Sequence, residues 1–127
     1  MSTWYDQRKT KYGNKPTTHA GMPFASKGEA SCYDFLKLLE KAGELEVVKT
    51  QDYVYLTDAR IPYIADFRLK LKSGEDAWAE FKGFETDVWR IKRRLWQHYG
   101  PGPLFVYKKR GSQVVLFETL MPKTKLL

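Results

Sequence analysis

The part of the chain that most constrains its fold is the run from Tyr63 to Leu71 and its echo from Ala77 to Lys82. In the first, Tyr63, Ala65, Phe67, Leu69 and Leu71 alternate with Ile64, Asp66, Arg68 and Lys70. A period of two puts successive side chains on opposite faces of a strand. In the second, Ala77, Ala79 and Phe81 alternate with Trp78, Glu80 and Lys82. The polar stretch Lys72-Ser73-Gly74-Glu75-Asp76 between them reads as a hairpin connection. A slip of one residue would turn every apolar side chain to the wrong face, so the register can change only in steps of two. A three-residue loop at 72–74 sets Asp66 opposite Glu80, Arg68 opposite Trp78 and Lys70 opposite Asp76. A five-residue loop sets Asp66 opposite Lys82 and Arg68 opposite Glu80. Either register gathers Asp66, Glu80 and Lys82 on one face.

The other elements follow from periodicity and caps. Ser26-Lys27-Gly28-Glu29 has the S-x-x-E form of a capping box, and Cys32, Phe35, Leu36 and Leu39 recur at helical spacing up to Gly43. Glu29 stands three and seven residues before Cys32 and Leu36, so it projects from the inward stripe. Leu45–Val48 and Tyr53–Leu56 are rich in β-branched and aromatic residues and read as strand. Thr86 or Asp87 caps a second helix that runs to Tyr99 and stops at Gly100-Pro101-Gly102. Its stripe is Val88, Ile91, Leu95 and Tyr99, flanked by Trp89 and Trp96, with Arg90, Lys92, Arg93 and Arg94 over the remainder. Leu104–Tyr107 and Val114–Thr119 are final strands joined by Lys108-Lys109-Arg110-Gly111 as a tight basic hairpin. The order α-β-β-β-α-β-β predicts an α/β fold, a small mixed β-sheet with flanking helices. Residues 1–20 read as an extended or mobile basic arm and 21–127 as a single domain.

Composition narrows the function. A chain of 127 residues is one domain, and 43% hydrophobic residues suffice for one core. No uninterrupted apolar run reaches ten residues, which argues against a membrane span. The first twenty residues lack the apolar stretch of a secretory signal, and the single cysteine, Cys32, cannot close an internal disulfide; both point to a cytoplasmic protein. One cysteine and two histidines, His19 and His98, are too few for a zinc site, so any metal must be held by carboxylates. The net charge is +7, and between Phe81 and Gly111 eight Lys or Arg face two acids. Such a clustered excess attracts a phosphate backbone, which makes Arg90, Arg93, Arg94, Lys108, Lys109 and Arg110 the candidate DNA contacts. The plainer alternative is a solvated basic face or an anionic membrane surface.

The carboxylates carry the chemistry. Two side by side repel unless a cation joins them. Mg²⁺ takes one or two carboxylates together with waters and substrate phosphate. Lys82 projects toward the same spot, where it could orient a water or neutralise charge building on phosphorus. Glu29 could supply a further ligand, directly or through water. Each residue also has an ordinary explanation: a solvated sheet face beside Arg68 for Asp66 and Glu80, a surface lysine for Lys82, and the capping box for Glu29.

Glu29 on a helix, then Asp66, a hairpin, Glu80-x-Lys82 and a following helix resembles the PD-(D/E)xK nuclease superfamily. More narrowly, KYGNKPTTHAGMPFASKGEA at 11–30, YIADF at 63–67, AEFKGFET at 79–86 and YG at 99–100 resemble small phage-encoded nucleases of that superfamily. The proline that precedes the aspartate in the motif is replaced here by Ala65, the nearest proline being Pro62. The resemblance implies a PD-(D/E)xK core and a Mg²⁺-dependent deoxyribonuclease, with Mn²⁺ able to substitute. It implies Asp66 and Glu80 as the metal-holding pair, Lys82 as the lysine of E-x-K and Glu29 as the acidic residue of the first helix. The chain is also similar to phage junction-resolving endonuclease I, which is small, basic and dimeric. That similarity implies a homodimer acting on branched DNA such as a Holliday junction, in the cytoplasm of the bacterial host. Nicking or end-processing in recombination or packaging is the alternative within the same chemistry. A non-catalytic DNA-binding or structural phage protein is the alternative outside it.

Overall fold

A computed structural model describes residues 16–123. Residues 1–15 of the expected arm lie outside the described residues. From Thr17 onward the arm reading is corrected. Strands β1 (Thr17–His19) and β2 (Met22–Phe24) pair antiparallel across Ala20 and Gly21, whose φ angles are 53° and 77°. Two positive φ values suit a primed hairpin turn. The hairpin is tied to the first helix by a 2.8 Å hydrogen bond between His19 Nε2 and Asp34 Oδ1 and by Phe24 against Tyr33.

Helix α1 spans Lys27–Lys41, with Ser26 Oγ accepting the Glu29 N–H. It ends as expected before Gly43, whose φ of 82° lets the Glu44 N–H turn back to the Leu39 carbonyl at 3.0 Å. Five strands follow in the order β3-β4-β5-β6-β7: β3 (Leu45–Tyr55), β4 (Pro62–Leu71), β5 (Asp76–Phe81), β6 (Leu104–Arg110) and β7 (Gln113–Leu120). Only β5 and β6 pair parallel, because helix α2 (Asp87–Tyr99) carries the chain across between them. The sheet is therefore mixed.

One helix lies on each face of that sheet. Ala30, Cys32 and Leu36 of α1 pack with Phe67, Leu69, Ala77, Ala79 and Tyr107. Trp89 and Trp96 of α2 pack with Trp78, Leu104, Val106 and Leu120. Ala77 and Ala79 alternate with Trp78 along β5, so the two clusters are on opposite faces.

The β4–β5 hairpin takes the three-residue-loop register: Lys70↔Asp76, Leu69↔Ala77, Arg68↔Trp78 and Phe67↔Ala79. The alternation of β4 is less regular than its sequence. Phe67 and Leu69 face α1, but Tyr63 and Ala65 join the α2 cluster, and the Tyr63 ring lies 5.3 Å from that of Trp96. The side chains change faces between Ala65 and Phe67, at Asp66, while the register against β3 is kept, since Thr50↔Phe67 and Asp52↔Ala65 stay in step. Opposite this point β3 is a single irregular strand rather than two pieces. It bulges between Val47 and Lys49, and Gln51 has a left-handed φ of 55°.

Two further expectations are corrected. Of the α2 stripe, Leu95 is partly buried against the sheet cluster, but Val88, Ile91 and Tyr99 are exposed, Ile91 62% and Tyr99 54%, and Trp89 and Trp96 are the buried residues. Two indoles remove more apolar area from water than the aliphatic stripe would, and Trp96 Nε1 gains the Gly102 carbonyl at 2.8 Å. Lys108, Lys109 and Arg110 belong to β6 rather than to a turn, since Arg110 pairs with Gln113 and Gly111, with φ 63°, makes the reversal with Ser112.

Candidate active site

The β4–β5 ladder ends at Phe67↔Ala79. At the next rung, side chains take the place of backbone partners. The Asp66 N–H donates to Glu80 Oε1 at 3.3 Å, and the Phe81 N–H donates to Asp66 Oδ2 at 2.8 Å. Each carboxylate thus reaches across to the other's strand, where the strands part. Asp66 is 2% and Glu80 1% exposed. Lys82, 7% exposed, puts Nζ 3.1 Å from Glu80 Oε2 and 4.6 Å over the Trp89 ring. It is not the surface lysine that an ordinary strand end would carry, because α2 covers its stem.

Glu29 reaches the same region from the other side. Its N–H meets the Ser26 cap, as a capping box requires, but its carboxylate turns into the protein and is buried. Oε2 accepts from Gln51 Nε2 at 2.9 Å. The close approach of α1 depends on Gly28: a Cβ there would lie 2.3 Å from Cε2 of Phe81, the residue after Glu80. Cys32, one turn along α1 from Glu29, registers the convergence. Burial first, then the negative charges of Asp66, Glu29 and Glu80, push its thiol up. The structure therefore brings Asp66, Glu80 and Lys82 together, with Glu29 approaching from α1 and held by Gln51.

Three buried carboxylates with one ammonium form a hard oxygen-donor set. Among the described residues, no three His, Cys, Asp or Glu side chains stand close enough to make a ready-made metal cage. The crossed pair Asp66 and Glu80, with Glu29 behind, has instead the donor number that Mg²⁺ uses when waters and phosphate oxygens complete its shell.

The basic residues fall into two groups. Arg90, Arg93 and Arg94 line a groove of ≈ 620 Å³ with Glu85, Phe117 and Glu118. Lys108 joins them, 3.0 Å from Glu85 Oε2 and 4.0 Å over the Phe117 ring. The Lys108 hydrogen bond holds the Glu85 carboxyl below its usual range. Arg93 forks onto both carboxylate oxygens of Glu118, and Arg90 pairs with Asp87 at 2.9 Å. Lys109 and Arg110 stand apart, exposed at the end of β6. The groove and the carboxylates meet at the first turn of α2, where Trp89 under Lys82 precedes Arg90.

Two site neighbours escape a reading by periodicity. Asp52 is buried, accepting the Trp78 indole N–H at 2.8 Å, with Lys49 at 3.6 Å. Gln51 holds Glu29. Their signal is the polar break Lys49-Thr50-Gln51-Asp52 between two apolar strand segments.

No curated protein matches the chain. A family model described as protein of unknown function (DUF1064) matches residues 9–110. That span takes in all four residues of the cluster and most of the chain, which therefore belongs to the DUF1064 family.

Proposed function

We propose that the chain is a Mg²⁺-dependent DNA endonuclease with a PD-(D/E)xK core, Mn²⁺ substituting for Mg²⁺, and that it cuts branched DNA as a homodimer. The observation that carries this is the crossed pair of buried carboxylates at the opening of the β4–β5 ladder, with a buried lysine on one of them. A plain DNA-binding surface has no use for acids in that position, since they repel phosphate.

Asp66 and Glu80 would hold the metal, with Glu29 adding an oxygen directly or through water. Bound there, a divalent ion supplies Lewis-acid stabilisation of the phosphate and a more acidic water. Lys82 keeps an ammonium within reach of Glu80, where it orients the attacking water and offsets charge developing on the phosphate oxygens. Trp89 and the sheet exclude bulk solvent from this ammonium, which strengthens its field. Arg90, Arg94, Lys109 and Arg110 supply sequence-independent phosphate contacts. Arg93 and Lys108 shape the groove through Glu118 and Glu85. One domain has one such cluster, so cutting two strands of a junction calls for two copies related by symmetry. Action in the host cytoplasm belongs to the same reading.

The test is cleavage of supercoiled, linear and four-way-junction DNA by the full chain in Mg²⁺, in EDTA, and with Asp66→Asn or Glu80→Gln. Cleavage in Mg²⁺ alone, lost in both variants, is the expected result. Equal cleavage by wild type and variants would refute the site. DNA binding with no cleavage in Mg²⁺ or Mn²⁺ would leave a non-catalytic binding protein. With Ca²⁺ in place of Mg²⁺, tighter binding to the junction than to matched duplex is expected, and equal binding would remove the branched substrate while leaving the nuclease.

A further inference from the structure

We infer that Gln51 is a positioning residue of the carboxylate site, whose side-chain amide fixes the Glu29 carboxylate behind the Asp66–Glu80 pair, where it reaches the divalent cation directly or through water. This rests on the nuclease reading. Among the described residues, three non-glycine residues have positive φ: Ala20 lies in the β1–β2 turn, Arg60 in the connection between β3 and β4, and Gln51 inside a strand. Thr50↔Phe67 and Asp52↔Ala65 are paired on either side of it in unchanged register, so Gln51 and Asp66 face each other as one interrupted rung of the ladder. No turn asks for that conformation, and glutamine is not among the residues that favour it. Strain of this kind persists where the surroundings over-determine it, and it gathers at functional sites.

What accompanies the left-handed step is the 2.9 Å hydrogen bond from Gln51 Nε2 to Glu29 Oε2. The bond joins β3 to the first turn of α1 at the rung that Gln51 shares with Asp66. An amide suits this task better than a lysine or arginine. It donates an N–H and orients the carboxylate, yet leaves the full negative charge of Glu29 for a cation. Ligand-orienting groups of this kind commonly change metal affinity or activity by about 10–100-fold when removed.

The experiment compares wild type, Gln51→Gly, Gln51→Asn, Glu29→Gln and the double variant Gln51→Gly/Glu29→Gln. Cleavage rate in Mg²⁺, Mn²⁺ affinity by calorimetry and melting temperature are read for each. Glycine tolerates the left-handed backbone and removes the amide; asparagine also tolerates it, but its amide is one methylene short of Glu29. Both are expected to melt at or above the wild-type temperature, bind Mn²⁺ about tenfold or more weakly and cleave about 10–100-fold more slowly. Adding Gln51→Gly to Glu29→Gln is expected to cost nothing further, since Gln51 acts through Glu29. Wild-type affinity and rate in Gln51→Gly, with Glu80→Gln inactive, would overturn the role of Gln51 and keep the nuclease. A loss that tracks lowered stability, or that adds in full to Glu29→Gln, would make Gln51 a structural residue and overturn the inference. Absence of both Mn²⁺ binding and cleavage in the wild type would overturn the nuclease and this inference with it.

Discussion

Replacing Lys82 by Met isolates the charge at the centre of the site. Methionine keeps most of the stem that lies on Trp89 and deletes the ammonium 3.1 Å from Glu80 Oε2. At an effective dielectric of about 20, two unit charges at that distance attract by roughly 5 kcal/mol. Removing one member of a buried pair costs about 3–5 kcal/mol, because the remaining charge stays out of water. Glu80 is fully buried and shares its surroundings with Asp66 and Glu29, so the upper part of that range applies. Against a total stability of about 5–15 kcal/mol, this is a large fraction. Glu80→Gln should cost less: its carbonyl can still accept the Asp66 N–H, and one of three neighbouring negative charges is gone. The Lys82→Met/Glu80→Gln double variant should recover much of the loss, with a coupling energy of about 1–3 kcal/mol. Urea unfolding in EDTA, followed by tryptophan fluorescence, measures all four corners of this cycle. Should Lys82→Met prove too unstable to purify, Lys82→Gln keeps a donor for Glu80 and can stand in for it. A Lys82→Met protein within about 1 kcal/mol of wild type, or full additivity in the cycle, would show that the two charges are not a buried pair.

Gly28→Ala places a methyl where the Phe81 ring lies, 2.3 Å from its nearest carbon, so it should destabilise by about 1–3 kcal/mol and slow cleavage by displacing Glu29. Phe81→Leu in the same chain should restore part of both, as read by urea titration and DNA cleavage. Burial pushes the Tyr107 hydroxyl up from 10.0 to about 12 and the Cys32 thiol upward from 9.0, so both stay neutral in the fold. The unfolded chain loses these protons first, hence stability is full below pH 9 and falls as pH rises above it; Cys32→Ala should flatten the part between pH 9 and 10 in a pH series of urea midpoints. Arg94→Ala should lower the slope of log affinity against log salt by about 0.9 on duplex DNA. Arg93→Ala should change the slope less and the melting temperature more, because its guanidinium is engaged with Glu118.

Where pattern and structure part company, the cause can be named. The hairpin's alternation (with two registers left open), the Ser26 cap and the Gly43 stop were legible because each depends on neighbours close in sequence: a period of two, a hydroxyl three residues from an N–H, a residue free to take positive φ. The helix α2 face was only partly legible, since periodicity counts Ile91 and Tyr99 as equal to Trp89 and Trp96, whereas the sheet selects the larger buried area and keeps only Leu95 of the stripe. The partners of Arg93 and Lys108 were hidden for another reason: Glu118 and Glu85 stand 25 and 23 residues away, and only the fold brings them close. At the site itself the two kinds of information cross. Asp66, Glu80 and Lys82 could be placed together from alternation alone, yet alternation fails at Asp66, where the side chains of β4 change faces and the rung shared with Gln51 is interrupted. A strand built only for stability would have kept its period through that point. The polar break Lys49-Thr50-Gln51-Asp52 is the trace of this departure in the sequence. Local irregularity facing a pair of buried acids is what a strand accepts when a side chain must be aimed rather than packed.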